Sequence, residues 1–101
     1  MLLTNFEKKV YYACKRIPHG RVSTYAELAR AIGCKGGARA VGNALNRNPF
    51  HSVPCHRVVC SNRRVGGYAH GKKAKEKILR REGVEIEKGK VVNFGKILKK
   101  L

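Results

Sequence analysis

Apolar side chains recur at helical spacing in the first third of the chain and predict two helices. The first is predicted from about Asn5 to Arg16, because Thr4 and Glu7 match a capping box and the apolar residues that follow lie three or four positions apart. A second capping box over residues 24–27 predicts a short helix, and Gly33 stands where a helix commonly ends.

A third helix is predicted over residues 37–46, after a short link that contains glycine. Two short helices joined in this way are typical of a helix-turn-helix. Successive helical residues lie about 100° apart, which directs Ala38, Val41 and Leu45 towards the core. The opposite side is polar, cationic and sterically thin, and it carries Arg39, Gly42, Asn43, Asn46 and Arg47. It is either the solvated face of a core helix or, given the preceding helix and turn, a DNA-contacting face.

The second half of the chain predicts smaller elements. The apolar pair at 58–59 and the segment 65–68 flank a polar turn, which predicts a small β-hairpin. A fourth helix is predicted over residues 72–81. Residues 84–92 alternate apolar and charged, which indicates a minor hairpin or an irregular loop, and residues 93–101 predict a short basic helix. The predicted fold class is mainly α: a helix-turn-helix, winged-helix-like domain with a short hairpin.

Composition adds size and charge to this picture. The chain has 101 residues with 23 Lys or Arg and 6 acidic residues, which gives a net charge of +17 and room for one domain, residues 1–101. No apolar run approaches the roughly 20 residues of a membrane span. So large a positive charge favours a polyanionic partner: nucleic acid is the first candidate, and an anionic membrane surface or a role of the charge in solubility is the second. We expect a cytoplasmic, nucleoid-associated monomer with no targeting signal.

The four cysteines, at positions 14, 34, 55 and 60, do not form a Cys-x-x-Cys pair. Free thiols are therefore favoured over a disulfide framework or a zinc ribbon. A disulfide between Cys14 and Cys34 stays open as an alternative.

The run Pro54–Val58 contains the candidate chemistry. Cys55 is followed by an imidazole and a guanidinium, and such electropositive surroundings favour the thiolate form of a cysteine. The alternative is a structural cysteine with a chance histidine neighbour. Adjacent residues of an extended segment point to opposite sides, so His56 needs a turn or a bridging water to act on Cys55.

Several separate blocks between Arg21 and Gly83 resemble the C-terminal domain of the O6-alkylguanine-DNA alkyltransferases, also called methylated-DNA–protein-cysteine methyltransferases. The blocks keep their order and comprise Ser23–Ala29, Ala38–Gly42, Asn48–Pro49, Pro54–Val58 and Glu82–Gly83. The resemblance implies a DNA-repair protein without a cofactor or metal. It also implies a minimal form, without the N-terminal domain that many members carry.

The resemblance assigns the chemistry to three residues. Cys55 would attack the alkyl carbon of O6-alkylguanine and keep the alkyl group, so each molecule works once. Glu82 would orient His56, and His56 would deprotonate Cys55 through a water. Arg57 is expected to support the backbone rather than the chemistry.

The resemblance also implies how double-stranded DNA is bound. The helix-turn-helix would enter the minor groove, and the damaged guanine would swing out of the stack into a pocket. Arg39 would fill the vacated space, while Tyr25 would assist rotation of the base and hydrogen-bond to it. Asn48 would brace the turn between the recognition helix and the active-site strand. The DNA-facing side would also contain Gly42, Asn43 and Arg47.

The pocket for the base is implied less sharply. The main-chain carbonyls of Cys55 and Val58 would accept from the guanine amine, Tyr68 would wall the site, and the Ala69 N–H would reach O6. Many relatives have Ser-Gly-Gly where this chain has Ala69-His70-Gly71, so His70 adds bulk and possible charge to the pocket.

Three alternatives remain at this stage. Cys60 is read as structural, but a zinc site built from Cys55, Cys60, His51 and His70 is the metal alternative. The fold is also shared by alkyltransferase-like proteins, non-catalytic lesion binders that typically replace the cysteine, often by tryptophan. This chain keeps Cys55 and has no tryptophan. A plain basic nucleic-acid-binding protein with an accidental Cys-His pair is the third alternative.

Overall fold

The computed structural model, which describes residues 2–101, contains five α-helices and four two-residue strands in that part of the chain. The helices are α1 (Asn5–Cys14), α2 (Tyr25–Ala31), α3 (Ala38–Asn46), α4 (Lys72–Arg81) and α5 (Phe94–Ile97). The strands are β1 (Ser23–Thr24), β2 (Val58–Val59), β3 (Ile86–Glu87) and β4 (Lys90–Val91). The mainly helical fold class is confirmed. In the part of the chain described, no helix has the length and apolar character that a membrane span requires.

The first helix begins where the capping box places it. Thr4 accepts the amide of Glu7, and the Glu7 carboxylate accepts the amide of Thr4, both at 3.0 Å. The helix ends two residues earlier than predicted. The amides of Arg16 and Ile17 bond to carbonyls three residues back, so the last turn tightens before Pro18.

The second and third helices form the predicted helix-turn-helix. Thr24 caps α2 by accepting the amide of Glu27 at 3.0 Å. On α3 the buried residues are Val41, Ala44 and Leu45, so the prediction that Ala38 faces the core is wrong. The buried stripe is centred on Val41 and its partners one turn later, which leaves Ala38 at the edge, where it lines an outer groove.

The hairpin predicted over residues 58–68 does not form. The polar turn is present, because the amide of Cys60 bonds to the carbonyl of Arg64 at 2.9 Å. Gly66, however, has a φ of 80°, which ends any extended arm. Strand β2 pairs instead with β1 in parallel, with Ser23 opposite Val58. This long-range pairing brings the start of α2 beside the segment that contains Cys55.

A hairpin forms later in the chain, at β3 and β4, as one of the two alternatives for residues 84–92. The terminal helix is shorter than predicted, because only Phe94–Ile97 is helical. Beyond it the chain is extended along Val22, whose carbonyl accepts the amide of Lys99 at 2.7 Å. The Arg21 side chain binds the carbonyls of Ile97 and Leu98, which a longer helix would need for its own bonds.

Two apolar clusters fill the interior. One joins α1 to the helix-turn-helix and contains Val10, Ile17, Leu28 and Val41, while the other lies beneath α4 and the β3–β4 hairpin. Tyr11 links α1 to α3 by donating to the carbonyl of Ala44 at 2.7 Å. All four cysteines are free thiols, so the alternative Cys14–Cys34 disulfide is not formed. Burial raises the pKa of Cys14 to about 12, which makes it an unreactive core residue.

Candidate active site

Cys55 opens a single 3-10 turn, Cys55–Arg57, directly before strand β2. The turn is closed by the amide of Arg57, which bonds to the carbonyl of Pro54 at 3.0 Å. Cys55 is half-buried and lines a cavity of about 270 Å³ together with His56, Tyr68 and Ala69. The turn supplies the change of direction that adjacent Cys and His residues need to share one cavity.

His56 is bound to Glu82 across 26 positions of sequence. Its Nε2 lies 2.8 Å from Oε2 of the carboxylate, and the exposed fractions of the two side chains are 15% and 9%. A carboxylate only accepts hydrogen bonds, so Nε2 carries a proton, and in the neutral ring Nδ1 is then the nitrogen with the lone pair. The predicted contact between Glu82 and His56 is therefore present.

Arg57 holds the same carboxylate through two hydrogen bonds, from Nε to Oε1 at 2.9 Å and from Nη2 to Oε2 at 2.8 Å. Burial alone would raise the pKa of Glu82, but the hydrogen bonds from Arg57 and His56 outweigh it and lower the pKa to about 2. Arg57 also donates to the carbonyl of Ile17 at 2.9 Å. It therefore supports the backbone, as expected, and also fixes the carboxylate behind His56.

Asn48 lies at the turn that follows α3. Its Nδ2 donates to the carbonyls of Phe50 and Val53 at 3.0 and 3.3 Å, and its Oδ1 accepts the amide of Phe50 at 2.9 Å. These three bonds fold residues 48–53 back towards Cys55. The geometry matches the bracing position that the sequence resemblance implied for Asn48.

A second concavity, of about 410 Å³, lies on the exposed side of α3. It is lined by Tyr25, Ala38, Arg39, Gly42, Asn43, Asn46 and Gly67. A Cβ added at Gly42 would lie 3.7 Å from the Tyr25 ring, an ordinary contact, so internal packing does not require glycine there. The groove joins the predicted DNA-facing residues to the start of α2.

Arg47 is the exception among the predicted DNA-facing residues. It caps the end of α3, and its Nε donates to the Glu7 carboxylate of α1 at 3.3 Å. It is not among the residues that line the groove on α3. The helical spacing placed it on the correct side, but the helix ends one residue before it, and the opposite charge on α1 is its partner.

Lys75 is a residue of the site that the sequence analysis missed. It has no exposed surface, and its Nζ donates to the carbonyls of Val58 at 2.6 Å and Gly67 at 3.1 Å. Burial lowers its pKa to about 8. A signal was present in the sequence, since Lys75 lies three and four positions before the apolar Ile78 and Leu79 and so shares their face of α4.

Tyr25 connects this lysine to the groove on α3. Its hydroxyl accepts from Lys75 Nζ at 3.3 Å and donates to the carbonyl of Gly67 at 3.4 Å. Burial raises the pKa of Tyr25 to about 12, so the phenol stays protonated and remains a donor. Lys75 and Tyr25 thus connect α4 to α2, and both contact Gly67 in the loop before α4.

The pocket residues implied by the resemblance are only partly brought together. Tyr68 and Ala69 line the cavity with Cys55. Val58 is buried, and its carbonyl already accepts from Lys75. Within residues 2–101, no group of three His, Cys, Asp or Glu side chains is arranged to hold a metal ion, so the alternative zinc site is not formed.

Fold and site together define a small helix-turn-helix protein. Its Cys55 thiol and His56 imidazole line one cavity, the Glu82 carboxylate binds His56, and the exposed side of α3 combines Arg39 with the small Gly42. Residues 5–84 match the family model described as 6-O-methylguanine DNA methyltransferase, DNA binding domain. The chain belongs to this family, and the resemblance noted in the sequence is confirmed.

Curated relatives carry the name methylated-DNA–protein-cysteine methyltransferase. The Methanosarcina acetivorans protein is 49% identical over 81 residues, which are 79% of this chain and 52% of the relative. The Salmonella typhimurium protein is 47% identical over 81 residues, 79% of this chain and 47% of the relative. The chain thus spans about half the length of the curated relatives it matches.

Two solved structures, both complexes with DNA, are similar in fold. Mycobacterium tuberculosis OGT in complex with DNA has a TM-score of 0.77 at 40% identity, over 80% of this chain and 51% of that chain. Schizosaccharomyces pombe Atl1, in complex with damaged DNA containing O6-carboxymethylguanine, has a TM-score of 0.86 at 36% identity. The match to Atl1 covers 100% of both chains.

Proposed function

We propose that this protein repairs alkylated DNA by transferring the alkyl group from O6 of guanine to the sulfur of Cys55. The observation that carries the proposal is the series of a half-buried thiol, an imidazole and a carboxylate, in which Glu82 binds His56 at 2.8 Å. The names of the curated relatives support the same reaction.

Binding to double-stranded DNA is the first step of the proposal. The side of α3 that carries Arg39, Gly42 and Asn43 faces the minor groove, where the missing side chain of Gly42 lets the duplex approach closely. The damaged guanine leaves the stack, because its O6 substituent is out of reach of Cys55 inside a duplex. Arg39 takes the vacated space. The DNA complexes of OGT and Atl1 support this step.

The chemical step moves one alkyl group and one proton. With its Nε2 proton directed at Glu82, His56 uses Nδ1 to take the thiol proton of Cys55 through a water. The thiolate attacks the alkyl carbon, so that the S–C bond forms as the C–O6 bond breaks. The electron pair of the broken bond goes to guanine, which takes up one proton. The thioether is stable, and each molecule reacts once.

A non-catalytic lesion binder is the second candidate. It is favoured by the similarity to Atl1, which was solved in complex with damaged DNA and has a TM-score of 0.86. Such a protein would use the groove on α3 and the cavity at Cys55 to bind an extruded alkylguanine without accepting its alkyl group. The two candidates share DNA binding and differ only in the fate of the thiol. In both, the protein acts on the DNA of the cell, and we propose that the protein is located in the cytoplasm.

Intact mass spectrometry separates the candidates. The protein is incubated with a duplex that contains one O6-methylguanine, and the adduct is mapped by peptide digestion. Repair predicts a gain of one methyl group on Cys55, and no gain in Cys55→Ala, which still binds the duplex. Tight binding without any mass change would instead identify the protein as a lesion binder.

A further inference from the structure

The cavity at Cys55 is rich in histidine. Three of the four histidines of the chain, His51, His56 and His70, line it. Within residues 2–101, no aspartate or glutamate lines it, and Glu82 behind it is already held by His56 and Arg57. The walls therefore offer imidazole hydrogen-bond donors without a competing carboxylate.

Two of these histidines have no task in the reaction proposed above. His51 and His70 are exposed residues of the loops on either side of Cys55 in sequence. Among the described residues, no protein group hydrogen-bonds to either imidazole, so their ring N–H groups are free to bind a ligand. His70 is held in place by an edge-on contact with Tyr68, whose ring centre lies 5.3 Å away.

We propose that His51 and His70 select O6-alkyl groups that end in a carboxylate, an inference that rests on the proposed function of the cavity. An ionised carboxylate only accepts hydrogen bonds, and an imidazole N–H donates to it in either protonation state. Hydrogen bonds to an ionised group are roughly twice as strong as those between neutral groups. The net charge of +17 adds an attractive field over the whole site.

The phosphates of the DNA backbone are the other anions that these imidazoles meet. Phosphate contacts strengthen binding to every duplex alike, because each duplex has the same backbone. A preference between alkyl groups, in contrast, appears only when duplexes with alkyl groups of different charge are compared. A comparison between a carboxylate and an amide of the same shape therefore separates the two sources of negative charge.

The test uses three duplexes of one sequence that carry O6-methylguanine, O6-carboxymethylguanine or the neutral O6-carbamoylmethylguanine. Equilibrium binding is measured with Cys55→Ala, which stops before any transfer, and single-turnover transfer with the wild type. His70→Phe keeps an aromatic ring against Tyr68 and removes the N–H donors. His51→Leu removes the other imidazole, and His19→Phe, in a loop away from the cavity, is the matched control.

We expect the carboxymethyl duplex to bind roughly fivefold to tenfold more tightly than the carbamoylmethyl duplex, which is the size of the difference between a hydrogen bond to a charged acceptor and one to a neutral acceptor. This ratio should fall towards one in His70→Phe and His51→Leu, and stay in His19→Phe. A ratio near one in the wild-type cavity overturns the inference. So does a ratio that both cavity variants leave unchanged, or an equal loss of affinity for all three duplexes.

The proposed function fails separately from this inference. If no adduct forms on Cys55 with the methyl duplex, the proposed transfer reaction is wrong. The ratio of the binding affinities would still test the role of the two histidines. Methyl transfer with no preference for the carboxylate would leave the repair function standing and remove only their selective role.

Discussion

The guanidinium of Arg57 binds both oxygens of Glu82, at 2.9 and 2.8 Å, while His56 shares the second oxygen at 2.8 Å. One carboxylate thus orients the imidazole and balances the cation. Because a bidentate pair fixes the plane of the carboxylate, the direction of the His56 ring is set by a residue beyond it.

This arrangement predicts that stability depends on pH through Glu82. Its pKa is about 2 in the folded protein against an ordinary value of 4.5, so its contribution is complete above pH 4.5 and is lost as the pH falls towards 2. The difference in free energy of unfolding between the wild type and Glu82→Gln should therefore shrink by about 2 kcal/mol between pH 7 and pH 3. Urea unfolding at a series of pH values measures this difference.

The control for that experiment is Glu85→Gln, which removes an exposed glutamate outside the site. A stability difference between wild type and Glu82→Gln that stays constant from pH 7 to pH 3 would contradict the pairing of Glu82 with Arg57 and His56. A stability difference that grows as the pH falls would mean that the pKa of Glu82 is raised on folding and not lowered. That result would contradict the pairing as well.

Lys75→Met is predicted to slow alkyl transfer while the protein stays folded. Methionine keeps the length of the buried side chain but leaves the carbonyls of Val58 and Gly67 without the ammonium donor. The loop that contains Gly67 should become more mobile, and the rate of alkyl transfer should fall by about tenfold or more. A tenfold loss corresponds to an activation free energy that is higher by roughly 1.4 kcal/mol. Single-turnover transfer and amide hydrogen exchange at residues 65–71 measure the two effects.

Lys77→Met is the matched control, because Lys77 is exposed on the same helix. It should retain wild-type transfer and exchange rates. If Lys75→Met transfers the alkyl group at the wild-type rate while exchange in the loop is also unchanged, Lys75 is a packing residue and not a positioning residue.

Local signals explain which parts of this protein could be predicted. The caps at Thr4 and Thr24 act within one helical turn, so the starts of α1 and α2 follow from neighbouring residues. The candidate nucleophile was found because Pro54–Val58 is a contiguous motif.

Long-range contacts explain the rest. The parallel pairing of β1 with β2 joins residues 35 positions apart, as Ser23 and Val58 show, and two-residue strands leave no alternating pattern to detect. Lys75 was missed because a charged residue on an apolar face is usually exposed at its tip. Only the three-dimensional arrangement shows that its Nζ meets acceptors from three other segments.

Arg39→Ala is predicted to impair repair in duplex DNA far more than reaction with a free alkylated base. Arg39 is exposed on α3 and lines the groove with Tyr25, but it does not line the cavity that contains Cys55. Only duplex DNA requires that the base leave the stack, at a cost of a few kcal/mol. Single-turnover rates with an O6-methylguanine duplex and with free O6-benzylguanine measure the contrast.

Lys35→Ala, which removes an exposed cation from the link between α2 and α3, controls for the loss of charge. It should weaken affinity and its salt dependence slightly without separating the two substrates. Equal losses on duplex and free base in Arg39→Ala would contradict a role in extruding the base.

Glu27 connects the helix-turn-helix to the last residues of the chain, and its replacement is predicted to release them. Its carboxylate accepts the amide of Leu101 and the guanidinium of Arg30, both at 2.6 Å, and the bond from Arg30 contributes most to lowering its pKa to about 2. Ser23 holds the same segment by donating to the carbonyl of Lys99 at 2.9 Å. Glu27→Ala should therefore expose residues 98–101 to carboxypeptidase and lower the free energy of unfolding by about 1 to 2 kcal/mol.

Arg30→Ala removes the surface ion pair and the hydrogen bond that Arg30 donates to the carbonyl of Leu101 at 2.8 Å, but keeps the bond from the Leu101 amide to Glu27. Arg30 is 57% exposed, and an exposed pair of this kind contributes at most about 1 kcal/mol. The carboxylate of Glu27 and its bond to the Leu101 amide remain in that variant, so the terminal residues should be released less than in Glu27→Ala. If Arg30→Ala releases them as fully as Glu27→Ala does, the contacts of Arg30 and not the amide contact with Glu27 hold residues 98–101 against α2.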